Sequence, residues 1–146
     1  MIWVVVDTNV LLKGLLSNIN PSRKVINLAL AGKIVIAGSQ ITMEEFHEKI
    51  IMEKFNDFYE KQKFSAEMLA NTYSNIVTLV TISEENKKII VSRDPDDDEF
   101  IRVAVEKGAK IIISEDKDLL DIGRYKDIRI LKPKKFIEIY EKLNLK

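Results

Sequence analysis

Cysteine is absent from this 146-residue chain, and histidine occurs once, as His47. The first absence excludes a disulfide framework, a thiolate nucleophile and any cysteine-based zinc site, and it is compatible with a reducing cytoplasm. The second removes further chemistry. His47 follows Glu44 by three residues, but the Glu-x-x-His pattern of di-iron bundles needs two such pairs. A Ser-His-Asp triad would also need His47, and no Gly-x-Ser-x-Gly elbow accompanies it. His47 therefore reads as a surface residue. The five glycines form neither of the glycine-rich phosphate loops.

Excess charge is missing as well. Lys and Arg number 23 against 23 Asp and Glu, so no global basic field announces a nucleic-acid binder, and any such binding must come from local patches. No apolar run approaches membrane-spanning length, and the apolar opening is cut by Asp7 too early for a signal h-region. The expectation is a cytoplasmic protein with no membrane association. What is present suits one domain spanning 1–146: a hydrophobic fraction of 46% and a mass of 16.8 kDa, enough for a core without staples. The charged fraction of 32% and the many Lys, Glu and Ile residues resemble heat-adapted compositions, for which a melting midpoint above about 60 °C is the matching expectation.

Periodicity supplies the element order. Trp3 to Val6 is an unbroken apolar run that ends in Asp7, as expected of a buried parallel strand opening at the carboxyl edge of a sheet. Val10 to Leu16 recurs at helical spacing, Asn18 to Pro21 makes a turn, and Ser22 is placed to cap a short helix stopped by Gly32. Ile34 to Ala37 is the second strand. Helices are predicted from Gln40 to about Phe55 and from Ser65 to Val77, joined by a charged turn at Lys61-Gln62-Lys63 into a hairpin above or beside the sheet. A short strand over Val77 to Ile82 and a solvated loop over Glu84 to Lys88 follow. An acidic run, Asp94 to Glu99, opens a helix that Gly108 closes. Ile111 to Ile113, a helical turn at Leu119-Leu120, a strand at Ile128 to Leu131 and a helix opened by Pro133 complete the chain. The predicted fold class is α/β, a three-layer α/β/α sandwich around a parallel five-stranded sheet.

Four acids, Asp7, Glu45, Asp98 and Asp116, fall at strand ends or helix starts near that edge. Like charges about 4 Å apart repel by roughly 4 kcal/mol at an effective dielectric near 20, so their convergence demands a cation or protonated acids. Oxygen ligands without cysteine or clustered histidine favour Mg²⁺ or Mn²⁺. Such ions are shared readily with phosphates, which points to in-line phosphodiester hydrolysis. The plain alternatives are a helix cap for Asp7, dipole stabilisation for Asp96 to Glu99, and an exposed helix position for Glu45.

At these residues the chain resembles the PIN-domain ribonucleases. The likeness rests on Asp7-Thr8-Asn9-Val10 after a strand, on Glu45 before Phe46, on Asp98 before Ile101 and Ala104, and on Ser114-Glu115-Asp116 after the Ile111 strand. Arg93 to Asp98 and Asp116 to Leu120 are similar to the VapC-like branch, the toxins of toxin–antitoxin pairs. The resemblance implies a Mg²⁺- or Mn²⁺-dependent endoribonuclease leaving a 5′-phosphate and a 3′-hydroxyl. It assigns the principal ion to Asp7 and Asp116, with Asp98 helping to hold it or a second ion. Glu45 coordinates through water or orients the attacking water, Asn9 and Ser114 fix the carboxylates, and Asp118 adds an outer acid. Glu45 is selected over Glu44, and Asp98 over Asp97, by their spacing to the following apolar residue in the family motifs; Asp94, Asp96 and Asp97 remain alternates. It further implies an RNA substrate, an antitoxin protein as partner, and a homodimer or higher homo-oligomer.

Lys13, Arg23, Lys24, Arg102, Lys132, Lys134 and Lys135 are candidates for phosphate contacts, with Tyr59 or Tyr73 for base stacking; the plain alternative is a solvated surface. Two rival functions carry distinct signatures. A signalling receiver domain also gathers acids and Mg²⁺ at a sheet edge, but needs an acidic pair after the first strand, where Thr8-Asn9 follow Asp7, and a phosphoacceptor Asp after the third strand, which is missing. A non-catalytic RNA-binding PIN scaffold would be expected to have lost motif acids, and all four are present.

Overall fold

The computed structural model describes residues 2–52 and 65–144. Strand β1 (Ile2–Val6) lies at the centre of the sheet and leads into helices α1 (Thr8–Leu15) and α2 (Pro21–Leu30). Strand β2 (Ile34–Gly38) is followed by α3 (Gln40–Ile50), and α4 (Ala66–Ile76) runs directly into β3 (Val77–Leu79). Helix α5 (Pro95–Lys107) precedes β4 (Ile111–Ile113), after which α6 (Lys117–Ile122), β5 (Arg124–Tyr125), β6 (Ile128–Leu131) and α7 (Pro133–Asn144) finish the fold.

The sheet order is β3-β2-β1-β4-β6-β5. Neighbours are parallel except for the last pair. The chain thus builds outward from β1 through β2 to β3, then returns to place β4 on the other side of β1. Val4 stands in register with Ile36 on one flank and Ile111 on the other. A reversal of this kind leaves a crevice at the carboxyl ends of the two central strands, where ligands bind in α/β folds. Asp7 follows β1 there, and Ser114 to Asp116 follow β4.

Alternation along the strands sends side chains to two cores. Val4, Val6, Ile36 and Ile113 pack with Val10, Val25, Phe46, Tyr73 and Phe136, so α1 to α4 and α7 cover one face. Val5, Ala37 and Ile112 pack with Phe100, Ile101, Ala104 and Leu119 beneath α5 and α6 on the other face. The three-layer sandwich is as expected, but among the described residues the sheet has six strands and not five. The extra one, β5, is two residues long and pairs antiparallel with β6, Tyr125 opposite Ile128, across a turn in which Lys126 has a φ of 53°. Two residues cannot display a period-two pattern, so nothing in the sequence announces them.

Local signals set most helix ends. The cap of α2 is Asn20, whose side chain accepts from the Arg23 amide, and not Ser22, which lies buried as the second residue of the helix. Gly108 ends α5 at a φ of 76°, left-handed backbone suited to glycine. Gly14 has a packing reason: a Cβ there would lie 2.6 Å from both Ile26 Cγ1 and the Ser22 carbonyl oxygen, so α1 and α2 meet only because it has none.

Three expectations shift. The strand predicted to reach Ile82 stops at Leu79, although Val80 N–H still donates to the Gly38 carbonyl at 2.7 Å. The loop at 84–88 contains a short 3₁₀ turn, Asn86–Lys88. Tyr73 is only 2% exposed and stacks on Phe46 at 4.5 Å between centroids, so it joins α4 to α3 and offers no face to a base. Helix α3 ends at Ile50; Phe55, Tyr59 and the turn at Lys61 to Lys63 lie outside the described residues.

Candidate active site

Asp7 closes β1 and opens α1. Its Oδ1 accepts from the Val10 amide at 2.8 Å, an N-cap, while its Oδ2 accepts from the Ser114 hydroxyl and, at 3.3 Å, from the Glu115 amide. Ser114 is fully buried, and its oxygen also receives the Asp116 amide at 2.9 Å. One hydroxyl therefore ties the turn after β1 to the turn after β4, residues 107 apart in sequence. Asp116 caps α6 by accepting the Asp118 amide at 2.9 Å. Burial raises the Asp7 carboxyl above its usual range against the hydrogen bonds from Ser114, Val10 and Glu115, and nearby Asp116 pushes the same way.

The first turn of α5 supplies the third wall, and here the adjacent acids Asp97 and Asp98 turn to different surroundings. Asp98 is 2% exposed, but its Oδ1 accepts the Val91 amide at 3.0 Å and the Ser92 amide at 2.7 Å, folding the segment before the helix. It does not line the acidic cavity. Asp97 does. It is 5% exposed and faces Asp116, and its buried Oδ2 has no hydrogen-bond partner among the described residues. Burial first, then a hydrogen bond shared with the facing Asp116 and that residue's charge, then Asp94 and Asp118, push its carboxyl up to about 8. One oxygen each from Asp97, Asp116 and Asp118 lies within 4.8 Å of the others.

Helix α3 forms the opposite wall. Glu45 Oε2 accepts from the Thr8 hydroxyl at 2.8 Å, and Glu45 Oε1 lies 3.6 Å from Lys49 Nζ one turn later. Lys49 also donates to Asn9 Oδ1 at 3.0 Å, so Asn9 is held by a lysine and fixes no carboxylate among the described residues. Glu44 instead accepts from Gln40 and faces the neighbouring groove. Together Asp7, Glu45, Asp94, Asp96, Asp97 and Asp116 line a cavity of about 250 Å³ in which Lys49 is the one basic lining residue among the described residues.

The sequence-predicted Asp7, Glu45 and Asp116 thus meet in one cavity, with Ser114 behind them and Asp118 at the Asp97–Asp116 cluster. Asp98 does not join them. The oxygen-only donor set and the unpartnered Asp97 Oδ2 fit a hard divalent cation. Sequence reasoning missed Thr8, Lys49 and Arg93, which pairs with Asp118 at 2.8 Å. The Glu-to-Lys spacing of four on one helix was a usable signal for Lys49. His47 is half-buried with its Nε2 shielded, lying against Tyr73 at 6.1 Å between centroids, and is not the surface residue expected.

A PIN domain family model matches residues 3–118. The chain belongs to the PIN domain family. An uncharacterised protein of Methanocaldococcus jannaschii is 32% identical over 149 aligned positions, covering 97% of this chain and 93% of the relative. The fold is similar to the crystal structure of VapBC2 from Rickettsia felis bound to a DNA fragment from their promoter, with a TM-score of 0.58 and 14% identity over 88% of this chain and 97% of that one. The matched PIN segment reaches from β1 to Asp118 and so contains every acid of the cavity. Among the described residues, no helix of this PIN protein is long and apolar enough to cross a membrane.

Proposed function

We propose that this PIN protein is a metal-dependent endoribonuclease that cuts RNA to leave a 5′-phosphate and a 3′-hydroxyl, acting as the toxin of a toxin–antitoxin pair. The observation that carries the reading is the Asp97–Asp116–Asp118 cluster, with its oxygens within 4.8 Å and one buried oxygen unpartnered. Those three residues would hold Mg²⁺ or Mn²⁺, with Asp7 adding charge from the cavity floor. A bound ion supplies Lewis-acid polarisation of a phosphodiester oxygen and lowers the pKa of water.

The remaining work falls to the chain's own groups. Ser114 and the Glu115 amide keep Asp7 oriented, so its charge faces the cavity with no freedom to swing away. Glu45, braced by Thr8 and Lys49 across from the cluster, is the group placed to orient an attacking water and to take its proton. Lys49 supplies positive charge close to where a phosphate would sit. An antitoxin segment inserted in this groove would silence the enzyme, and a homodimer is the expected assembly.

The test is cleavage of a labelled RNA with Mn²⁺, with EDTA, and with Asp116→Asn. Cleavage should stop in both of the latter, with a loss of at least about a hundredfold. Persistence in the variant assigns the activity to a contaminant. Induced expression should arrest a bacterial host for the native chain and not for Asp116→Asn.

A further inference from the structure

The acidic cavity has unlike neighbours on its two sides. Beyond Glu45 and Asp96 lies a groove of about 210 Å³ lined also by Glu44, Glu48 and Glu99, with no basic lining residue among the described residues. A polyanion entering there meets five carboxylates beside Ile41 and Thr42, at a cost that grows with every phosphate. On the other side, Asn9 and Asp116 are shared with a cavity of about 750 Å³ floored by Leu12 and Leu16. That cavity shares Lys13, Asn20 and Glu115 with a further one of about 260 Å³ reaching Lys132 and Lys134. The three form one continuous trench, acidic at one end and basic at the other.

The basic end is open for business with an anion. Lys132 and Lys134 are exposed and make no ion pair among the described residues. Lys13 pairs only with Glu115, at 3.2 Å, where the lysine and glutamate side chains are 57% and 39% exposed; such a pair contributes little and yields easily to a competing phosphate. Two other sequence candidates are committed elsewhere. Arg102 donates twice to the Ile89 carbonyl and leans on Glu99, and Arg23 donates to the Gly14 carbonyl. The apolar floor between the two ends suits the faces of bases better than a charged backbone.

We propose that the trench is the substrate track: single-stranded RNA is bound on one side of the scissile phosphate only, its flanking phosphates seated on Lys13, Lys132 and Lys134. This rests on the nuclease reading for the position of the scissile bond, but not for the binding itself. A single strand follows from the apolar Leu12 and Leu16 lining, since a duplex hides its base faces.

The experiment is fluorescence anisotropy of a labelled octauridylate in EDTA, where nothing is cut. The triple variant Lys13→Gln/Lys132→Gln/Lys134→Gln should bind at least about tenfold more weakly at low salt, with the slope of log affinity against log salt reduced by about 2, since each neutralised phosphate of a single strand contributes about 0.7. The exposed pair Lys87→Gln/Lys88→Gln serves as the comparison and should bind as the native chain does. Each single variant is measured too, so a folding defect in the triple does not decide the outcome. With Mn²⁺, substrates lengthened only 5′ or only 3′ of the cut should separate, one series gaining affinity with length and the other not. Unchanged binding in the triple variant, equal gains in both series, or displacement of the RNA by hexaglutamate at matched charge overturns the proposal, the last by making the trench a seat for acidic peptide. Native protein that binds through the three lysines yet never cleaves sinks the nuclease reading and leaves the track standing.

Discussion

Asp97 and Asp98 are adjacent, both buried, and opposite in consequence. Asp98 spends its charge on two backbone amides, so it holds the 91–92 segment against α5. Asp97 has no donor for its buried Oδ2 among the described residues and sits among like charges. Removing the first should cost stability; removing the second should increase it. Asp98→Ala is expected to lower metal-free stability by about 1 to 3 kcal/mol through two orphaned amides, and to leave Mn²⁺ binding measurable. Asp97→Asn should raise the metal-free melting point while abolishing Mn²⁺ binding in calorimetry. The reverse pattern would return Asp98 to the site.

The elements that carry the acids are held by features far from any carboxylate. Helix α1 starts at Asp7 and is seated on α2 through Gly14, where the Ser22 carbonyl leaves no room for a methyl group. Gly14→Ala therefore has to push the two helices apart. Overpacking of this kind costs about 1 to 3 kcal/mol, against a small gain in helix propensity, so a denaturant midpoint well below native is expected. Because α1 starts from the Asp7 cap and contributes Asn9, Leu12 and Lys13 to the trench lining, the same variant should weaken octauridylate binding. Unchanged stability would mean that the helices have slack the close contacts do not show.

For the whole molecule, the acid pocket links stability to pH. Asp7 and Asp97 both have folded pKa values raised above those of an unfolded chain, Asp97 to about 8. The folded state therefore binds more protons than the unfolded state between about pH 4 and 8. The protonated pair contributes fully below the unfolded value, and its contribution is lost as pH rises through the folded one. Exposed Asp127, beside Lys110, and Glu106, bonded to Ser83 and Asn86, are lowered and act in the opposite sense, but only at acid pH. Melting in EDTA should thus decline from pH 5.5 to pH 8.5, and Mg²⁺ or Mn²⁺ should restore more stability at the higher pH. A metal-free melting point that climbs across this range would show that the pocket is not under charge strain.

Element order, the apolar central strands and the acids at strand ends were legible in the sequence because each follows from local periodicity and from residue chemistry that neighbours in the chain already express. Two-residue β5 was not legible, since it is too short to carry a pattern. Nor were the different surroundings of Asp97 and Asp98: both stand buried at a helix start, and only the position of β4 and α6 decides which one meets Asp116 and which meets the 91–92 amides. Tyr73 and His47 look equally free in sequence and are enclosed by packing against Phe46. The seven basic candidates were alike until the fold gathered Lys13, Lys132 and Lys134, more than a hundred positions apart, along one trench. Local chemistry is written residue by residue; convergence depends on which faces the sheet's reversal brings together, and that is a property of the tertiary structure alone.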